Sequence, residues 1–404
     1  MHVVIVGGGI VGLSSAYSLA RGGADVSLYE KGSLGAGSTA RSAGGIRSQF
    51  STAVNVRLSE ASKEVWDEFE NRFGVDIAHR KPGYLFLART AETAEQFREN
   101  VAMQNDLGVD SEFLDPAEAI EHCPGLRDEE FVAATYNADD GFADPNLAVQ
   151  GYAEAAREAG VDIRTKTAVT DVLTDDSNEV VGVKTDAGRI DADFVVNAAG
   201  AWASEVAAFA GIDLPIHPRR RQIAVVDPSQ PVSEDVPLTI DLDTGSYFRP
   251  ERDGAALVGG HFASEERSSS NASGEERPAS EDPDMEPDAY SESMDLPWAA
   301  TAVERAADCA TYFGGDTRIR RGWAGLYAVT PDHHPIVEET VPGLVTAAGF
   351  SGHGFQHAPA TGKLVAELCL DGEASLVDVD GLSSRRFENG DDEAGDGRVE
   401  RNVA

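Results

Sequence analysis

Residues 3–12, VVIVGGGIVG, constrain this chain more than any other stretch. An apolar run of β-type residues meets Gly7, Gly9 and Gly12 in the spacing G-x-G-x-x-G, and a helix-like run follows. A second strand, ADVSLYE, ends in Glu30, roughly 20 residues on, with Lys31 beside it. This is the dinucleotide fingerprint in its strand–turn–helix–strand context. Gly7 permits the tight turn, Gly9 lets the backbone approach a pyrophosphate, and Gly12 lets helix pack on strand. Ile10 and Val11 open a helix whose N-terminus presents free N–H groups and partial positive charge to phosphates. Glu30 is placed to accept hydrogen bonds from a ribose. The fingerprint alone does not separate FAD from NAD.

The chain has 404 residues, 41% of them hydrophobic, enough for two domains and a sizeable core. No apolar run reaches the length that spans a membrane. The N-terminus reads as a strand and not as a secretory leader, so the expected location is cytoplasmic. The formal net charge is -37, from 33 basic and 70 acidic residues. Such a surface repels nucleic acid. It fits adaptation to molar salt, where the screening length falls to ~3 Å and self-repulsion is largely suppressed. Cys123, Cys309 and Cys369 are scattered without a C-x-x-C pair, which argues against a disulfide framework and a metal site. The adjacent His333 and His334 suit a loop better than a shared metal.

Helical spacing of apolar residues covers 53–73, and helices are also expected over 90–107, 116–122 and 151–159. Residues 81–87 read as a strand, and 162–200 as a β-meander returning to the nucleotide domain. Strands follow at 221–226, 246–249 and 255–260. Residues 263–297, rich in Ser, Glu, Asp and Pro, read as an exposed acidic insertion. A helix is expected over 298–312, a buried strand over 345–348, and a flexible acidic tail over 388–404.

Three further motifs follow the fingerprint in order. They are GSTARSAGGIR at 37–47, VVNAAGAWAS at 195–204, and TPDHHPIV with TAAGFSGHGFQHAPATGKLVAEL between 330 and 368. Together they resemble the D-amino-acid-oxidase-like FAD oxidoreductases. Within that group the chain is similar to the sarcosine oxidase, dimethylglycine dehydrogenase and proline dehydrogenase β-subunit branch. The resemblance implies FAD as cofactor. It also implies an α/β fold: an FAD-binding Rossmann-like domain interleaved with an α+β substrate domain containing an antiparallel sheet. The implied segments are 1–78, 141–208 and 318–387 for the first domain and 79–140 and 209–317 for the second.

By that resemblance, Arg41 and Ser42 run beside the flavin and its phosphates, and Val169 contacts the adenine side. Ala199, Gly200 and Trp202 border the cofactor. Gly352, His353, Gly354, Phe355 and Gln356 lead into a helix whose N-terminal amides face the flavin. A positive helix end there stabilises an anionic reduced flavin. Arg47 aligns with the arginine that holds the substrate carboxylate, a role suited to a planar guanidinium. Tyr247, His261 and Tyr327 shape the space above the flavin, and Arg249 is a second candidate carboxylate contact.

The departures from the family pattern also inform the reading. Gly325 stands where monomeric sarcosine oxidases carry the flavin-linking cysteine, so noncovalent FAD is expected. Leu257 stands where they place the oxygen-activating lysine, and Gln356 where they use a second carboxylate-binding lysine. The reading is therefore FAD-dependent oxidation of a small amino acid to the imine, by a dehydrogenase more than a fast oxidase. The substrate is secondary or N-methylated, resembling sarcosine, dimethylglycine or proline. Electrons leave to an unidentified acceptor or to O₂, and the resemblance allows for partner subunits. The same fold also serves D-amino acid or glycine deaminating enzymes and FAD-bearing electron-transfer subunits of larger complexes.

Overall fold

A strand buried on both faces reads as a continuous apolar run and belongs in the middle of a covered sheet. His2–Val6 is such a strand: Val3, Val4 and Ile5 have no exposed surface. The computed structural model describes residues 1–262, 283–387 and 399–402, and places this strand inside a six-stranded sheet. Asp25–Glu30 and then Asp162–Thr165 lie on one side. Phe194–Asn197, Leu344–Ala348 and Ile336–Val341 lie on the other. Neighbours pair in parallel except the last two, which are antiparallel.

The helix Ile10–Arg21 packs on the later helix Gly354–Leu370. Their approach needs a missing side chain, because a Cβ on Gly362 would lie 2.3 Å from Ser14 Oγ. The helix Ala53–Asp67 also packs on Gly354–Leu370. Pro359 lies inside that later helix, where it lacks an N–H and its ring crowds the preceding turn. One step on, where the Gln356 carbonyl and the Ala360 N–H would pair with each other, partners from Ala53–Asp67 take both groups. The Gln356 carbonyl accepts from Trp66 Nε1 (2.8 Å), and the Ala360 N–H donates to Ser62 Oγ (3.2 Å).

A second sheet has eight strands. Their order is Arg318–Val329, His217–Asp227, Ala256–Gly260, Ser246–Pro250, Leu238–Asp241, Tyr84–Ala88, Ala133–Asn137 and Glu112–Leu114. Pairing is antiparallel except between Leu238–Asp241 and Tyr84–Ala88. One face buries Leu85, Leu87, Phe248, Ala256 and Val258 with Ala299, Ala302 and Ala306 of the helix Leu296–Cys309. Side chains alternate along a strand, so Tyr84, Phe86 and Tyr247 gather on the opposite face.

Several expectations change. The segment 318–387 does not return to the first sheet at its start, because Arg318–Val329 pairs along its length with His217–Asp227. Of the acidic stretch, 263–282 lies outside the described residues, and 283–297 is mostly exposed, as expected, but pinned to the second sheet. There Met285 N–H donates to the Pro218 carbonyl (2.9 Å), and Ser293 bridges Trp323. Of the tail, 388–398 and 403–404 lie outside the described residues, but Glu400 and Asn402 are buried and not part of a loose end. The expected helix 53–73 is two, Ala53–Asp67 and Phe69–Phe73. Among the described residues no helix is long and apolar enough to cross a membrane.

Candidate active site

A tight strand-to-helix turn needs positive φ and no side chain. Gly7 has φ +112, and a Cβ there would lie 2.4 Å from the Ala198 carbonyl oxygen. At Gly12 a Cβ would lie 2.0 Å from the Gly7 carbonyl oxygen, so this residue serves helix–strand packing. Gly9 and Gly200 face open space. The nearest atom to a Cβ on Gly9 is Thr39 Oγ1 at 3.4 Å, and nothing lies within 4 Å at Gly200.

That space belongs to a cavity of about 500 Å³, a size typical of cofactor pockets. Gly7, Gly9, Ile10, Val11, Glu30, Lys31, Arg41, Ser42, Val169, Ala199, Gly200 and Trp202 line it. Glu30 is fixed by its own loops: Oε2 accepts from Gly8 N–H (2.8 Å) and Oε1 from Gly32 N–H (2.6 Å). Lys31 lies 3.9 Å over the Trp202 ring and bonds Asp288 at 2.6 Å. Lys31 thereby holds the Asp288 carboxyl below its usual range.

At the other end, Gly354 and Phe355 open the helix Gly354–Leu370 at the cavity wall, so its positive end meets the space. Gly352 has φ +99, and a Cβ there would lie 2.4 Å from the Tyr327 ring, which rests on bare backbone. Tyr327, Tyr247, Ile223 and Arg221, all from the second sheet, complete this end. Burial, reinforced by Tyr327 and Tyr84, pushes the Tyr247 phenol well above its ordinary value, so it stays neutral. Gly325 also lines the cavity, over Arg41.

Arg47 lies behind this wall and is only 5% exposed. Its guanidinium sits 3.9 Å over the Phe50 ring and 5.2 Å from that of Phe86. Nη1 donates to the Gln49 carbonyl and Nη2 to the Asn402 carbonyl, with His353 Nε2 at 3.4 Å. All three contacts are neutral. Among the described residues no carboxylate oxygen comes within 4.0 Å of this guanidinium. Burial lowers its pKa from the ordinary value, opposed by the fields of Glu400, Tyr84, Asp140 and Tyr327. The backbone beneath is tied down. Arg47 N–H donates to Gln356 Oε1 (2.8 Å), and Ser48 N–H to Asp140 Oδ1 (2.8 Å). Lys63 lies 3.5 Å from Asp140. Burial opposes its charge, but Asp140 and Glu60 outweigh that and hold the ammonium above its ordinary value.

The family description "FAD dependent oxidoreductase" (DAO) matches residues 2–368. The chain belongs to the DAO family. A solved structure of L-proline dehydrogenase from P. horikoshii is 34% identical, with a TM-score of 0.84 over 96% of this chain and 98% of that one. FAD-dependent oxidoreductase domain-containing protein 1 of Xenopus laevis is 31% identical over 95% of this chain and 82% of its own. Sarcosine oxidase subunit beta of an Arthrobacter species is 30% identical over 96% and 91%. This DAO-family chain is an FAD-dependent oxidoreductase with the family's mixed α/β fold. The cavity fits that cofactor. Glu30 could hold the ribose, the Gly7–Gly9 turn and the helix Ile10–Arg21 the pyrophosphate, and Gly352 to Phe355 the flavin end.

Not every expected contact lies on the wall of this DAO-family cavity. Gly12, Arg47, His261, His353 and Gln356 do not line it. His353 and Gln356 leave the first helical turn on the side of Arg47, whereas Gly354 and Phe355 face the cavity. His261 sits near Arg221 and His333. Burial first, and then those two groups, lower its pKa to about 3, so the ring is neutral. Arg249 pairs with Glu251 (2.7 Å) and lies over Phe142, which makes it an ion-pair residue here. Leu257 is buried opposite Val225 and Arg249 and does not line the cavity. The position between the lining residues Tyr247 and Ile223 is Gly259, where the Tyr247 ring fills the place of a side chain. Sequence reasoning missed Arg221, Ile223, Asp288 and Asn402. Only the strand character of 221–226 signalled any of them.

Proposed function

We propose that this enzyme oxidises a small amino acid to the imine, acting on secondary or N-methylated amines such as sarcosine, dimethylglycine or proline. The observation that carries this is Arg47, a buried guanidinium with only neutral groups in contact, whose field reaches Tyr327 on the cavity wall. A buried charge with no opposite charge in contact is costly, and a substrate carboxylate supplies one in a geometry the guanidinium favours. The names of two relatives, L-proline dehydrogenase and sarcosine oxidase subunit beta, support the amine half of the reading.

FAD, when bound, supplies the two-electron acceptor. Its attachment is noncovalent at Gly325, which offers no sulfur. The chain's own residues do the rest. Arg47 fixes the carboxylate, and the neutral phenols of Tyr247 and Tyr327 confine the amine. The positive end of Gly354–Leu370 favours charge that accumulates beside it. Gly259 leaves no lysine between Tyr247 and Ile223, which favours a dehydrogenase with a separate electron acceptor. That one relative is named a subunit supports an assembly in which a partner takes the electrons.

Anaerobic mixing of the holoenzyme with L-proline, sarcosine, dimethylglycine, glycine and D-alanine tests this through loss of the yellow flavin absorbance. Bleaching by any of the first three is the expected result. Bleaching by glycine or D-alanine alone makes the protein a deaminating enzyme on the same fold, and bleaching by none overturns the reading.

A further inference from the structure

Glu400 belongs to a strongly acidic, polar stretch, yet it has no exposed surface. Its Oε1 accepts from Ser51 N–H (2.9 Å), the Ser51 hydroxyl (2.8 Å) and Asn402 N–H (3.0 Å). Its Oε2 accepts from the Thr52 hydroxyl (2.8 Å) and Asn55 Nδ2 (3.0 Å). Thr52 stands at the N-cap position of the helix Ala53–Asp67, so the carboxylate also sits at a positive helix end. The main chain is held as well. Glu400 N–H donates to the Asp332 carbonyl (3.1 Å), and His333 Nδ1 lies 2.9 Å from the Glu400 carbonyl. Two residues on, the Asn402 carbonyl accepts from Arg47 Nη2, while Asn402 Nδ2 donates to the Gln49 carbonyl (3.1 Å).

A buried carboxylate with this many donors is a permanent mooring and not a strap that lifts away, since leaving would strand every donor. What it moors bears on the site. A guanidinium has five N–H donors in a rigid fork. Gln49 holds one arm and Asn402 the other, so the fork cannot swing and its remaining donors keep one direction. Among the groups whose fields oppose the desolvation of Arg47, Glu400 contributes most.

We propose that Glu400 is a positioning residue for the oxidation: it moors residues 399–402 so that the Asn402 carbonyl holds Arg47 in the orientation that receives the substrate carboxylate. This rests on the reading of Arg47 given above. The segment is thus a built part of the substrate site, contributed by the far end of the chain.

The FAD-loaded full chain is compared with Glu400→Ala, Glu400→Asp and a chain ended after Phe387. Steady-state kinetics are read with the best bleaching substrate. Binding of propionate, and of uncharged propionamide as control, is read from the flavin visible spectrum. Glu400→Ala and the shortened chain should raise KM and the propionate Kd about tenfold, the scale of one lost charge-assisted hydrogen bond, with kcat within about twofold. Propionamide binding and FAD content should not move, and Glu400→Asp should recover part of the loss. Unchanged KM and Kd overturn the proposal. So does a lower KM without the tail, which would make it a block. Equal losses for propionate and propionamide, or loss of FAD, overturn it as well, because the role is then merely structural. Arg47→Ala separates the two levels. If it leaves propionate binding intact, the carboxylate reading fails and takes this proposal with it. If it weakens propionate while the tail variants do not, only the present proposal fails.

Discussion

Replacing Gly352 by alanine tests how the far end of the cavity is built. An L-residue at φ +99 carries backbone strain of about 1–3 kcal/mol. The new methyl would also lie 2.4 Å from Tyr327 Cε2 and 2.8 Å from Cζ, and neither atom belongs to a flexible chain end. Moving the ring in a packed wall costs about 1–3 kcal/mol more. The expected loss is therefore about 2–6 kcal/mol, with the ring forced toward the cavity and turnover reduced. Gly160→Ala is the control, because its φ is +96, nothing lies within 4 Å of the added Cβ and it does not line the cavity, so only the backbone cost applies. Denaturant unfolding of both variants, with FAD in excess so that cofactor loss does not mimic unfolding, gives the comparison. Repeating Gly352→Ala in a Tyr327→Ala background should remove the steric part and leave the backbone part. Equal losses for the two glycine variants, or no relief in the double variant, would refute the account of Tyr327 as a ring resting on bare backbone.

The remaining predictions concern cofactor, acceptor and surface. Acid precipitation should release all the FAD into the supernatant, since Gly325 offers no linking sulfur; yellow colour left on the polypeptide would contradict this. Turnover with an artificial dye should exceed turnover with O₂ alone, because no lysine lies between Tyr247 and Ile223; matching oxygen consumption would overturn the dehydrogenase assignment. With a net charge of -37, the melting temperature should rise from dilute buffer to molar KCl as the screening length shrinks from ~10 Å to ~3 Å; a flat or falling curve would mean ordinary surface acidity.

What the sequence made legible was local. Gly7 and Gly12 are readable because a turn and a helix–strand contact within a dozen residues demand them. The GFSGHGF motif marked the right turn, but not which way each side chain leaves it. His353 and Gln356 point to Arg47 because of how the helix is rolled against Ala53–Asp67, which no motif records. That Gly259 and not Leu257 lies between Tyr247 and Ile223 has the same origin, since strand register is set across the sheet. Composition marked 283–297 as exposed, which most of it is, and 399–402 as loose, but showed none of the contacts that pin either segment. Their partners, Pro218 and Trp323 for the first and Ser51 to Asn55 for the second, are far away in sequence, where polarity gives no clue.

The first turn of Gly354–Leu370 serves two masters. Gly354 borders the cofactor cavity, Gln356 grips the backbone of Arg47, and the Gln356 carbonyl is held by Trp66. The gap between the cofactor cavity and the backbone of Arg47, the anchoring charge proposed above, is thus gauged by a single turn of helix, with a pitch of about 5.4 Å, and not by two loops free to drift apart. A ruler cut into one rigid element limits which molecules can span it. Lengthening the substrate's backbone between carboxylate and amine would misplace the reacting carbon, however well each end was bound.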